Sequence, residues 1–259
     1  MMAVMYNLCY NTSLSLGGVI MRLIPNINLT EEQVRSILAY NKVCIGGEAT
    51  ICESGQYNTL YKIFTDYGKP KAMGENKEKK IIELYNTPID YSVRPVSTIS
   101  LNDVIIGYEM TTDCNFDTYK LYQLKPEELI RFLKHTKEIL DYFTSKGIVY
   151  GDLDPRNILF NRATGEVQFC DMDNIKFGRY PMDKLPSALA DYESIRGIDD
   201  SVHAYMHNNM TLGALGLDAF WSTESALTKL FKGPAIKTVE SMRNPKDFNG
   251  EYIISQIRK

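Results

Sequence analysis

The feature that most restricts this chain is a change of pattern between residues 125 and 173. Lys125-Pro126-Glu127-Glu128 opens a helix, with proline in the first turn, where its missing N–H costs nothing. Leu129, Ile130, Leu133, Ile139, Leu140 and Phe143 recur at helical spacing as far as Gly147. That predicts a buried helix of about five or six turns. A polar stretch, Tyr150-Gly151-Asp152-Leu153-Asp154-Pro155-Arg156-Asn157, follows at once and runs into the apolar Ile158-Leu159-Phe160. Val167-Gln168-Phe169-Cys170 reads as the return strand of a hairpin with Gly165 in its turn, and it delivers Asp171-Met172-Asp173 at its end. A long helix as brace, a polar loop and a hairpin let carboxylates far apart in the chain converge.

The region before this is organised differently. Thr30 precedes Glu31-Glu32 and a short helix through Tyr40, as an N-cap does. Short strands are expected at 42–45, 50–53 and 59–64, with Ser54-Gly55-Gln56 as a turn between the last two. A charged helix is expected over 75–85, stopped by Asn86-Thr87-Pro88. Strands at 94–98 and 104–110 flank the turn residues Asn102-Asp103. Beyond Asp173 the chain is irregular to about residue 200, and helices are expected near 202–215, 222–231 and 233–242. A small antiparallel sheet with one helix followed by a mostly helical region is an α+β arrangement with segregated layers. The parts are 21–112 and 113–259, with the change of character at 111–117. Residues 1–20 carry no Lys or Arg and read as a translated leader, with Met21 as the start, or as a disordered tail.

Bulk chemistry removes several function classes. The net charge of −3 gives no reason to expect a nucleic-acid partner, and Lys77, Lys79 and Lys80 read as the wet face of a helix. The 5 cysteines are scattered and never form a CxxC pair, which argues against a disulfide framework or zinc site and fits a reducing cytosol. No apolar run reaches the roughly 18 residues of a membrane helix.

Asp152, Asn157 and Asp171 are the residue types phosphoryl transfer needs. One carboxylate orients or takes a hydroxyl proton, while an amide oxygen and a second carboxylate hold the Mg²⁺ that bridges nucleotide phosphates. The segment resembles the catalytic loop and metal motif of protein kinases. Tyr150-Gly151-Asp152 stands for His-Arg-Asp, Asn157 for the loop Asn and Asp171-Met172-Asp173 for Asp-Phe-Gly. It also looks like atypical bacterial kinase-like proteins that write the loop as GD and the motif as DxD. The likeness extends loosely over residues 45–215. It implies a bilobal protein-kinase-like fold, with ATP and Mg²⁺ (or Mn²⁺) in a cleft, and Asp152 as the catalytic carboxylate. Asn157 and Asp171 become metal ligands, and Asp173 is either a second ligand or a turn residue.

Lys62 shares a strand face with Leu60 and Phe64, so it needs an anion or must snorkel to water. The resemblance makes it the lysine that clamps phosphate. For its partner on the charged helix, Glu78 shares a face with Ile81, Ile82 and Tyr85, whereas Glu83 faces Lys79 and Lys80. Glu78 is therefore expected to point inward and Glu83 outward. Gly46-Gly47 would form the phosphate-covering turn through free backbone N–H groups, although the later glycines of the kinase loop are missing.

Other departures matter. Gly151 replaces the arginine that pairs with a phosphorylated activation loop in kinases. Asp154 replaces a lysine near the γ-phosphate, and Arg156 stands where tyrosine kinases have an arginine. The helix Asp that supports the loop in kinases is replaced near His203, with Asp200 close by. His203 and His207 lie four apart, the spacing of a metal pair, but without a third ligand they read as core or surface residues. The resemblance implies an atypical Ser/Thr protein kinase acting on an unidentified hydroxyl acceptor. A small-molecule kinase of the aminoglycoside or choline type and a nucleotide-binding pseudokinase are the alternatives.

Overall fold

A computed structural model describes residues 13–16, 19–65, 74–87, 89–112, 115–118 and 124–182, together with Val202, His203, Met206, His207 and Met210. Two compact units divide the chain, Met1–Cys114 and Asn115–Lys259. The expected change of character at 111–117 spans that division.

The first unit is built on a six-stranded sheet. Its elements in chain order are β1 (Ser13–Leu16), β2 (Val19–Arg22), β3 (Asn26–Leu29), α1 (Glu31–Tyr40), β4 (Lys42–Ile45), β5 (Ala49–Glu53), β6 (Thr59–Phe64), α2 (Gly74–Asn86), β7 (Pro95–Leu101) and β8 (Val104–Thr111). The sheet order is β3-β7-β8-β6-β5-β4, and β1 pairs with β2 in a separate two-stranded sheet. Local chemistry explains the ends. Thr30 and Gln33 form a reciprocal capping box that starts α1. Asn102 and Asp103 both take positive φ, which a two-residue hairpin loop between β7 and β8 requires.

The sheet is mixed rather than the expected antiparallel one, because β3 runs parallel to β7. Among the described residues the unit contains two helices where one was counted beside the sheet, each at the place where a helix was expected. Within residues 1–20, Ser13–Leu16 pairs with Val19–Arg22 in a hairpin.

The alternation of β6 divides its side chains between two faces. Tyr61 and Ile63 join Leu29, Val34, Cys52, Ile99 and Ile106 in a core covered by α1. Lys62 and Phe64 occupy the opposite face beside Tyr108, the residue paired with Lys62 on β8. Gly107 is fixed by proximity: a Cβ there would sit 2.1 Å from the Lys62 carbonyl oxygen.

The second unit contains β9 (Asp117–Thr118), α3 (Pro126–Ser145), β10 (Ile158–Phe160) and β11 (Val167–Phe169), with sheet order β11-β10-β9. The apolar stripe of α3 buries Leu129, Leu133, Leu140 and Phe143. Phe132 meets Phe160 edge-on at 5.5 Å, and Phe143 meets Phe169 at 5.2 Å. The hairpin loop is tied down as well: Arg162 donates to Glu128 at 2.7 and 3.0 Å. This region is mixed α+β, and no mostly helical lobe is present among the described residues. Val202, His203, Met206, His207 and Met210 are helical and buried, whereas the helices expected at 222–231 and 233–242 lie outside the described residues. Among the described residues no helix is long and apolar enough to cross a membrane.

Candidate active site

The loop after α3 is held at its start by Tyr150. Its backbone N–H donates to His203 Nε2 at 2.7 Å, and its hydroxyl donates to the Cys170 carbonyl at 2.7 Å. The ring packs edge-on against Phe169, with centroids 4.9 Å apart. Asp152 follows, half-buried. Asn157 Nδ2 donates to the Asp152 carboxylate at 3.0 Å and to its carbonyl at 3.2 Å. The Cys170 N–H donates to the Asn157 carbonyl at 2.9 Å, tying the loop to the end of β11. Because the Asn157 amide nitrogen makes both contacts to Asp152, Oδ1 is the atom left to face a cation.

Asp171 comes immediately after this tie and adopts φ 61°, ψ 37°. Aspartate tolerates the left-handed region better than most residues, and a non-glycine held there marks a place where surrounding structure dictates the backbone. A 3₁₀ turn, Met172–Asn174, then buries Met172 and Asp173.

Asp152 and Asp171 are near enough to influence each other. The Asp152 carboxyl is held above its ordinary value first by burial, then by the charges of Asp171 and Asp154, against the opposing Asn157 hydrogen bond and Arg156. The rival carboxylate, Asp154, is otherwise engaged. It accepts from the Arg156 backbone at 2.8 Å and from its guanidinium at 2.9 and 2.7 Å, capping the 3₁₀ turn Pro155–Asn157. Arg156 thus serves Asp154.

Among the described residues no three His, Cys, Asp or Glu side chains converge to hold a metal unaided. Magnesium does not require that: it is commonly held by one or two carboxylates together with substrate phosphates and water. Asn157 Oδ1 and the Asp171 carboxylate fit such a site as hard oxygen donors.

The first unit departs further from expectation. Lys62 is 5 % exposed, with its ammonium 5.6 Å from the Tyr108 ring centroid and 5.8 Å from that of Phe64. Glu78, expected to point inward, is exposed. The buried face of α2 is instead Lys77, Lys80, Ile81 and Leu84. The cause is the lysine stem, whose methylenes pack against apolar surface as readily as they lie in water. Lys77 lies over Phe64 at 5.0 Å and pairs with Glu48 at 3.4 Å.

Sequence reasoning missed Lys77 and Glu48. Lys77, Lys80, Ile81 and Leu84 do share the i, i+3, i+4, i+7 spacing, which was the available signal. Neither Gly46 nor Gly47 has a positive φ, and the Gly46 N–H is committed to the Ala49 carbonyl at 2.8 Å. The turn is an ordinary strand connection, and the expected free N–H at Gly46 is absent.

His203 and His207 are buried and bonded to the backbone rather than set as a metal pair. His203 Nδ1 approaches Thr144 Oγ1 at 2.7 Å and the Leu140 carbonyl at 3.1 Å, and His207 Nε2 lies 2.8 Å from the Leu133 carbonyl. Burial holds the His207 ring down at about 4, hence neutral.

The sequence-expected residues therefore fall into two sets. Asp152, Asn157, Asp171 and Asp173 belong to the second unit, and Gly46, Gly47, Lys62 and Glu78 to the first. No protein-family model matches the chain, and no curated protein matches it.

Proposed function

We propose that this chain is an ATP-dependent phosphotransferase with a bilobal protein-kinase-like fold, transferring the γ-phosphoryl group to a hydroxyl in the manner of an atypical Ser/Thr protein kinase. The observation that carries the reading is the bonded unit Asp152–Asn157–Cys170. It puts one carboxylate, one amide oxygen and the backbone preceding a second carboxylate in a single network. Asp152 orients the acceptor hydroxyl and takes its proton. Its raised pKa suits that work, because a base is most useful when its pKa approaches the working pH. Asn157 and Asp171 hold Mg²⁺ or Mn²⁺, which when bound neutralises charge on the nucleotide phosphates. In the kinase resemblance Lys62 is the residue assigned to the phosphates.

The experiment is γ-³²P-ATP transfer with Mg²⁺, using generic protein acceptors and a panel of small hydroxyl metabolites, comparing the native chain with Asp152→Asn and Asp171→Asn. Loss of turnover with retained nucleotide affinity is expected for Asp152→Asn. Loss of both turnover and metal-dependent binding is expected for Asp171→Asn. Equal turnover in all three proteins rejects the reading.

A second reading, a nucleotide-binding pseudokinase, is favoured by the exposure of Glu78 and the committed Gly46 N–H. It predicts metal-dependent thermal stabilisation by ATP with no transfer to any acceptor.

A further inference from the structure

The loop that carries Asp152 has its first backbone donor buried, and the group that satisfies it comes from 53 residues further along the chain: Tyr150 N–H to His203 Nε2. We propose that His203 is a positioning residue for this loop, acting as a neutral acceptor that holds Tyr150 against α3. For its consequence on turnover the inference rests on the phosphotransfer reading above. For the contact itself it stands on the hydrogen-bond geometry.

Two separate contacts specify where the His203 proton resides. A backbone N–H can only donate, so Nε2 must present its lone pair to Tyr150. On the other side, the Thr144 hydroxyl donates to the Leu140 carbonyl at 3.0 Å, which leaves its oxygen lone pairs facing His203 Nδ1. The Leu140 carbonyl, 3.1 Å from the same nitrogen, can only accept. Nδ1 therefore carries the proton. His207, four residues on, is the reverse case: its Nε2 meets the Leu133 carbonyl, so the proton lies on Nε2. Two buried imidazoles four residues apart carry opposite tautomers, and of the two His203 is the one arranged to accept.

The contact matters because Tyr150 fixes two things at once. Two residues later comes Asp152. The Tyr150 hydroxyl bonds the Cys170 carbonyl, which belongs to the peptide leading into the left-handed Asp171. A side chain that holds the Tyr150 backbone thus orders the approach to both carboxylates. His203 is 3 % exposed, so water cannot readily replace it as acceptor.

The full chain has 3 histidines, at 135, 203 and 207, so their ring nitrogens can be assigned individually by ¹⁵N-resolved NMR. Expected is a proton on Nδ1 of His203 and on Nε2 of His207 near neutral pH, whereas a proton on Nε2 of His203 overturns the assignment. His203→Gln keeps an acceptor within reach of Tyr150, and His203→Leu removes it. Amide hydrogen exchange at Tyr150 should accelerate about tenfold or more in His203→Leu and stay near native in His203→Gln. The rate of γ-phosphoryl release from MgATP should follow the same order, with KM for MgATP changing less than about twofold. Equal exchange at Tyr150 in both variants overturns the proposal. An unchanged release rate in Asp152→Asn instead overturns the phosphotransfer reading and leaves the tautomer and exchange results to decide His203.

Discussion

The loop after α3 and the turn after β4 are both short polar connections expected to handle phosphate, yet they are built in different ways. In the first, side-chain and backbone groups are bonded within the loop and to the ends of neighbouring elements. Asn157 reaches Asp152, Cys170 reaches Asn157, and Tyr150 reaches both His203 and Cys170. In the second, the Gly46 N–H closes the turn on itself, and Glu48 is paired with Lys77 of α2. A constellation meant to do chemistry is recognised by what holds its members in place. By that measure the expected residues of the second unit are bonded together, while the first unit buries Lys62 in its sheet and Lys77 and Lys80 on α2.

The comparison breaks most plainly at the carboxylates. Asp152→Asn should lower phosphoryl transfer by about 10²–10⁴-fold, the usual scale for loss of a general base. Asp154→Asn should cost less than about tenfold, since asparagine still caps the 3₁₀ turn and only the Arg156 contact weakens. Initial rates decide this, and a larger loss at Asp154 would exchange the two roles.

The sheet that positions Lys62 is tested next. Gly107→Ala puts a methyl group where the Lys62 carbonyl stands. It should cost about 3 kcal/mol by denaturant titration, at the upper end of ordinary overpacking. A neutral result would mean that β6 and β8 adjust freely and that the sheet does not hold Lys62.

The bonded region should also show a dependence on acid. The His207 ring takes up its proton at about 6.5 when unfolded but at about 4 when folded. Between those values the unfolded state binds more protons, so stability falls as the pH drops from about 6.5 to about 4 and then levels off for this group. The full effect is roughly 3 kcal/mol. Chemical denaturation of native chain and His207→Gln across that range measures it, and identical slopes would remove His207 as the cause.

Smallest, and most informative about α2, is the contrast of Lys77 with Glu78. Lys77→Ala removes a buried stem and the Glu48 pair and should cost about 1 kcal/mol. Glu78→Ala, on the exposed face, should stay within about 0.5 kcal/mol. Equal values would put the helix in a different phase.

What could be read ahead of the structure was whatever has a local cause. The 3.6-residue stripe of α3 survives burial because a helix that long has only one face apolar enough to hide. The Thr30 cap, the Asn102-Asp103 turn and the hairpin at Gly165 are written in a few adjacent residues whose backbone preferences leave little choice. The spacing of Asp152, Asn157 and Asp171 singled out one loop and one strand end for the same reason.

Tertiary structure alone decided the rest. β3 and β9 are strands of four and two residues whose pairing partners lie elsewhere in the chain, and such short runs carry almost no periodic signal. The phase of α2 depended on which side the sheet covered, because Lys77 and Lys80 can bury their stems or solvate them at similar cost. Asp154 and Asp152 are equivalent as residue types, and the contacts tell them apart: Arg156 engages Asp154, while Asn157 donates to Asp152. The tie between His203 and Tyr150 spans 53 residues, and its chemistry exists only once folding has excluded water from both groups. Sequence by itself determined the short-range elements and the chemical types at the loop. Which of those side chains are bonded into place was decided by long-range contacts, whose free energy no local stretch of residues contains.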